Sequence, residues 1–254
     1  MYTEAIEMVE VAPRDGLQNE KALVSTADKL ALVERAIAAG SRRIEVTSFV
    51  NPKAVPQMAD AEAVCEGLPE RDDVTYIGLV MNARGAGRAL ATGRIDQLGA
   101  VSVATDTFAM ANQCQTSDGS VEAAKEIITM AREAGQTGQV TIAASFGCPF
   151  EGEVAQERIV AMAVALAEAG PVEIGLADTI GVGNPAHVTS LVGKVRAAVP
   201  DIPVRVHFHN TRGTGLANVW AAVLAGAVTV DAAIGGLGGC PFAPGAAGNV
   251  STED

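Results

Sequence analysis

TADKLALVERAIAAG (26–40) followed by RIEVTSF (43–49) sets the pattern of the whole chain. The first stretch spaces its apolar residues at helical intervals, and the second is a short β-branched run. Seven more runs of the second kind recur on either side. They are MVEVAP (8–13), VTYIGLVM (74–81), LGAVSVAT (98–105), VTIAASF (140–146), VEIGLAD (172–178), VRVHFHN (204–210) and VTVDAAIG (228–235). Helical periodicity returns between them. TSDGSVEAAKEIITMAREAG (116–135) takes Ser120 as its N-cap and Gly135 as its close. QERIVAMAVALAEAG (156–170) is stopped by Gly170–Pro171. Strands buried on both faces read as near-continuous apolar runs. Eight of them alternating with helices predict an α/β fold, a (β/α)8 TIM barrel, rather than an open doubly wound sheet. No linker or composition break divides residues 1–254, which read as a single domain. After the eighth run, Ser251 and Asp254 look like the start of a capping box. The barrel is therefore expected to be truncated at its final helix, or to lack it.

The 254 residues are 48% hydrophobic and 19% charged, a soluble globular composition. Eighteen basic against thirty acidic residues give a net charge of −12 with no basic run, which argues against nucleic acid as a partner. One local arginine still leaves anionic small molecules open. No stretch approaches the roughly 20 apolar residues of a membrane span, and the N-terminus carries no signal-peptide pattern. Four irregularly spaced cysteines are not a disulfide framework. A reducing, cytoplasmic location is the expectation.

Two of the three histidines form His207-Phe208-His209. Positions i and i+2 of a strand share a face, so both imidazoles can converge on one ion. Two core histidines satisfied by backbone partners are the alternative. His187 falls at a helix start and is expected to be solvated. In a barrel the site lies at the C-terminal strand ends. There Arg14–Asp15 follow strand 1, Glu45 with Thr47–Ser48 end strand 2, and Asp178–Thr179 end strand 6. Cys240 and Asn249 lie in the loop after strand 8. Asp15 alone reads as a turn residue paired with Arg14. Beside two histidines, it reads as the third ligand of a divalent metal, with Mg²⁺, Mn²⁺, Fe²⁺ and Zn²⁺ all open. The glycines before Cys240 suit a loop closing over substrate, with the thiol handling a proton; an inert cysteine is the alternative. Cys148 either lines the mouth or is structural.

Six blocks, in order, resemble the 3-hydroxy-3-methylglutaryl-CoA lyases. They are VAPRDGLQNE (11–20), EVTSFVNPKAVPQMAD (45–60), GCPFEG (147–152), LADTIGVGNP (176–185), VHFHNTRGTGLAN (206–218) and GGLGGCPFAPGAAGNVSTED (235–254). The resemblance implies a metal-dependent barrel that splits 3-hydroxy-3-methylglutaryl-CoA into acetyl-CoA and acetoacetate by retro-aldol chemistry. It implies Asp15, His207, His209 and Asn249 as ligands of Mg²⁺ or Mn²⁺. It also implies Arg14 as the residue that steadies the enolate, Cys240 as the proton-handling thiol, and Glu45 and Asp178 as acidic active-site residues. The group that takes the hydroxyl proton stays open between Asp178, a histidine and a metal-bound water. Asn210 and Arg212 stand where the family more usually has Asp and Tyr, and Ala177 stands where Gly is usual. The segment after strand 4, TDTFAMANQCQTSDGS, is only loosely similar. These departures touch the acyl group rather than the metal. A lyase for another branched or longer 3-hydroxyacyl-CoA is the alternative, and a condensing enzyme joining an acyl-CoA to a 2-oxoacid a further one. The implied partner is a small-molecule acyl-CoA; no nucleic acid or membrane is expected from the composition, and a homodimer is the default expectation for a barrel of this sort.

Overall fold

Each apolar run forms a parallel strand, and the eight strands pair in chain order until β1 meets β8 and the barrel closes. The structure is a computed structural model and describes residues 5–239 and 247–254. The strands are β1 (Glu7–Glu10), β2 (Arg43–Ser48), β3 (Thr75–Val80), β4 (Gln97–Val103), β5 (Thr137–Ala143), β6 (Ile174–Asp178), β7 (Val204–Phe208) and β8 (Thr229–Ala232). Around them run α1 (Thr26–Ala39), α2 (Ala61–Gly67), α3 (Ala83–Ala91), α4 (Asp106–Gln113), α5 (Ser117–Glu133), α6 (Gln156–Ala167), α7 (Pro185–Ala198) and α8 (Gly215–Leu224). No described helix is long and apolar enough to cross a membrane.

Local chemistry explains where elements begin. Ser25 accepts from the Asp28 N–H to cap α1, and Asn184 accepts from the His187 N–H to cap α7, with Pro185 in its first turn. The cap of α5 corrects the sequence expectation: it is Thr116, which accepts from the Gly119 N–H. Ser120 lies one turn inside, where its hydroxyl donates to the Ser117 carbonyl and accepts from the Val103 N–H, tying helix to strand.

Strand ends also shift. The ladder of β1 stops at Glu10, because Pro13 has no N–H and the chain tightens into a π-helical turn over Ala12–Gly16. β5 begins three residues early and ends at Ala143. The next residue, Ala144, takes φ 59 and donates its N–H to Thr179 Oγ1. Among the described residues no α-helix follows β8. Instead Asn249 bridges to His209 and Ser251 to Ala233, and the Ser251 hydroxyl donates to Glu253.

Two layers with different chemistry result. Between strands and helices the packing is aliphatic, with Ile44, Ile127, Ile142, Leu166 and Leu191 fully buried. Inside the barrel the base is charged. Arg43 donates to Gln97, Gln139 and Glu173, and also pairs with Glu7. A buried carboxylate stripped of its partner costs far more than a surface pair contributes. Arg43→Ala should therefore cost about 3–5 kcal/mol, because Arg205 alone would then face the buried carboxylates of Glu173 and Asp231. Urea unfolding measures this, and a loss under about 1 kcal/mol, the size of a surface pair, would remove Arg43 from the barrel's support.

Candidate active site

On β7 every second residue turns inward, and His209, just past its end, keeps that phase, so Arg205, His207 and His209 line one cavity at the barrel mouth. His207 Nδ1 sits 3.0 Å from Asp231 Oδ2, and His209 Nδ1 sits 3.1 Å from the Ala247 carbonyl. Both acceptors favour the Nδ1–H tautomer. The two Nε2 atoms then present lone pairs to the same place, 3.2 Å apart. Two acceptors that close need a proton or a cation between them.

The π-helical turn supplies the negative side. The Val11 carbonyl accepts from the N–H groups of Arg14, Asp15 and Gly16, and this curl aims two adjacent side chains at one cavity. Asp15 Oδ2 lies 4.0 Å from His207 Nε2. Asn249 arrives from the returning segment; its Nδ2 donates to Asp15 Oδ2 at 2.7 Å and to the Leu237 carbonyl at 2.9 Å. Its Oδ1 is buried without a partner among the described residues. Asp15, His207 and His209 hold their ligand atoms within 4.8 Å of one another, a group that can hold a metal ion. A carboxylate, two imidazole nitrogens and an orphaned amide oxygen fit a divalent cation.

The electrostatics follow from this crowding. Burial works to raise Asp15, but Arg14 and the two histidines hold its carboxyl well below the usual range. Burial and the neighbouring His207 push the His209 pKa down. Burial opposes protonation of His207, but its bond to Asp231 and the charge of Asp15 outweigh that and raise it. Arg14 pairs through Nε with Glu45 and through Nη1 with Asp15 at 2.7 Å. Burial, with help from the Asp231 charge, pushes Glu45 up despite Arg14.

Sequence reasoning placed Arg14, Asp15, Glu45, His207, His209 and Asn249, and the fold brings all six together. Asp178 is different. Ala177 and Thr179 line the cavity, whereas the Asp178 carboxylate accepts from the Val182 and Gly183 N–H groups and shapes the loop after β6. Burial raises its pKa. The register of β2 shifts between Glu45 and Thr47, which packs on Met58, and neither Thr47 nor Ser48 lines the cavity. Cys240 lies outside the described residues. Cys148 is buried under Thr105 Oγ1 at 3.0 Å, as a structural residue. His187 is half-buried edge-on to Phe146 at 5.2 Å rather than solvated, and burial lowers its pKa. Sequence reasoning passed over Asp231 and Arg205. Each is a charged residue inside an apolar run, and Arg205 is in phase with both histidines.

The sequence profile of the HMGL-like family matches residues 5–254. The (R)-citramalyl-CoA lyase of Chloroflexus aurantiacus is 43% identical, covering 99% of this chain and 82% of that protein. The 3-hydroxy-3-isohexenylglutaryl-CoA/hydroxy-methylglutaryl-CoA lyase of Pseudomonas aeruginosa is 40% identical over 98% of this chain and 83% of its own length. An HMG-CoA lyase from Acinetobacter baumannii, solved with coenzyme A and 3-methylmalate, superposes with a TM-score of 0.93. It is 41% identical and covers all of this chain and 83% of that one.

The returning segment depends on one close approach. A Cβ on Gly248 would stand 1.8 Å from the Gly236 carbonyl oxygen, and this passage is what carries Asn249 to Asp15. Gly248→Ala should displace Asn249 and weaken Mn²⁺ binding about 10- to 100-fold, the usual effect of misorienting a ligand set. Isothermal titration measures it, and unchanged affinity would detach Asn249 from the cation site.

Proposed function

The chain belongs to the HMGL-like family and is a carbon–carbon lyase, and from that premise we propose that it cleaves 3-hydroxy-3-methylglutaryl-CoA to acetyl-CoA and acetoacetate. The observation that carries this reading is the meeting of Arg14, Asp15, His207, His209 and Asn249 at one mouth, with two imidazole nitrogens 3.2 Å apart. Residues 1–254 act as one catalytic unit, and a cytoplasmic homodimer is its proposed form.

Cleavage removes the proton of the C3 hydroxyl, makes that oxygen a ketone and breaks the C2–C3 bond. The bonding electrons pass into the thioester as an enolate, which takes a proton at C2. Asp15, His207, His209 and Asn249 would hold Mg²⁺ or Mn²⁺, the choice favoured by the two oxygen donors. When bound, the ion would act as a Lewis acid toward the hydroxyl oxygen. Arg14 supplies fixed positive charge where the enolate oxygen develops. Glu45 and Asp15 hold its guanidinium in place before substrate arrives, so little reorganisation is needed. Glu45 and Asp231 face the cavity, and the base that takes the hydroxyl proton must be reached from there. Asp178, bound to two backbone amides, supports the wall. Cys240 keeps the role the resemblance implies, donor of the proton to C2.

A second reading rests on the citramalyl-CoA relative. Citramalyl-CoA carries the same hydroxyl- and methyl-bearing carbon beside the thioester arm, and differs in having one carbon fewer before its carboxylate. The same bond would break, giving pyruvate in place of acetoacetate.

Acetoacetate release from 3-hydroxy-3-methylglutaryl-CoA with Mn²⁺ should be abolished by chelator; no release with metal present would remove the proposal. Pyruvate release from citramalyl-CoA, run in parallel, decides between the two acyl groups. Arg14→Gln should lower kcat by at least about 10²–10³-fold while leaving metal binding intact. Near-normal kcat in that variant would refute the enolate role.

A further inference from the structure

Below the two histidines the cavity lining includes a second buried arginine. Arg205 precedes His207 by two residues on β7, about 6.6 Å of strand rise. Its guanidinium is almost fully buried yet lines the cavity. Nη2 donates to Thr141 Oγ1 at 2.6 Å, Nη1 pairs with Asp231 Oδ2, and Nε lies 2.8 Å from Glu173 Oε1. These partners come from β5, β8 and the approach to β6, so the guanidinium is tied on three sides. Room for it comes from the neighbouring strand. A Cβ on Gly175 would lie 3.0 Å from Arg205 Nη2 and 3.0 Å from Thr141 Oγ1.

The cavity volume is about 140 Å³, too small for coenzyme A, since pockets for drug-sized ligands run to about 300–1,000 Å³. The nucleotide end therefore stays outside, and the acyl end enters first. With the hydroxyl-bearing carbon held at the histidine level, the arms of that carbon reach down toward Arg205. The lining is mixed, and its apolar part, Leu79, Met81, Val101 and Phe108, suits a methyl branch. The floor is polar, and its guanidinium is held by ion pairs to Asp231 and Glu173 and a hydrogen bond to Thr141. A long apolar branch reaching it gains nothing from the contact and must displace a tied ion pair.

We infer that Arg205, in the space Gly175 leaves open, is a specificity-determining residue that restricts this lyase to 3-hydroxyacyl-CoA esters with short branches on C3. The inference rests on the lyase reading above. Shortening residue 205 leaves nothing on β6 to refill the space, whereas adding a methyl at 175 pushes the guanidinium into the cavity.

The test compares kcat/KM for 3-hydroxy-3-methylglutaryl-CoA and for 3-hydroxy-3-isohexenylglutaryl-CoA, each with Mn²⁺. The ratio is taken on a single preparation, so the fraction of active protein and the metal occupancy cancel. The wild type should favour the short ester by at least about 100-fold, a discrimination that a few misfit methylenes supply. Arg205→Gln should cut that ratio by at least about tenfold, and Gly175→Ala, which keeps every charge, should raise it. A ratio unchanged within about twofold in Arg205→Gln, or unchanged or lowered in Gly175→Ala, overturns the inference. A wild type that favours the long ester overturns it as well. Those outcomes leave the lyase reading standing, whereas a wild type that turns over neither ester removes both.

Discussion

A charge inside a closed barrel has no bulk water to turn to, so each must find a counter-charge on another strand. This chain meets that constraint with a line of ion pairs running up the barrel interior. Arg43 on β2 pairs with Glu173, Glu173 with Arg205, Arg205 with Asp231, and Asp231 with His207. Its last link matters most. A single oxygen, Asp231 Oδ2, receives both the Arg205 guanidinium and His207 Nδ1. The support of the barrel and the orientation of a cation-site imidazole are therefore one network.

The mouth is assembled from parts that are distant in the chain. The π-helical turn after β1 brings the carboxylate and the arginine, β7 brings two nitrogens, and the returning segment brings an amide. Each depends on a backbone device: three N–H groups on the Val11 carbonyl, the two-residue period of β7, and the tight passage of Gly248 over Gly236. Positive charge from Arg14 then stands beside a cluster able to hold a cation, its Nη1 paired with Asp15 of that cluster and its Nε with Glu45 outside it. That arrangement suits a reaction in which one oxygen loses a proton while another gathers charge.

Much of this was legible in the residues. The His-x-His spacing needs only strand alternation to place both rings on one face, and the Arg-Asp-Gly block follows a strand directly. Asp178 lies outside the cavity lining because alternation has a phase, and a short apolar run does not reveal which parity faces the barrel axis; Ala177 and Thr179 took the inner side. The same phase argument, begun from His207, would have found Arg205 two residues earlier. Asp231 stood out only as a charge within VTVDAAIG. Ser120 looked like a cap because hydroxyl residues before a helical run usually are one; here Thr116 lies at the helix start, and burial gave Ser120 another partner.

The number and order of strands, the helical spacing between them and the family can be read along the chain, because periodicity and contiguous blocks are local properties. Folding was needed to bring β1 to β8, to carry Asn249 to Asp15 from 234 residues away, and to let one carboxylate oxygen serve both Arg205 and His207. Those outcomes depend on strand register and on which charges are driven out of water together. Both are settled by packing across the barrel rather than by neighbours along the chain.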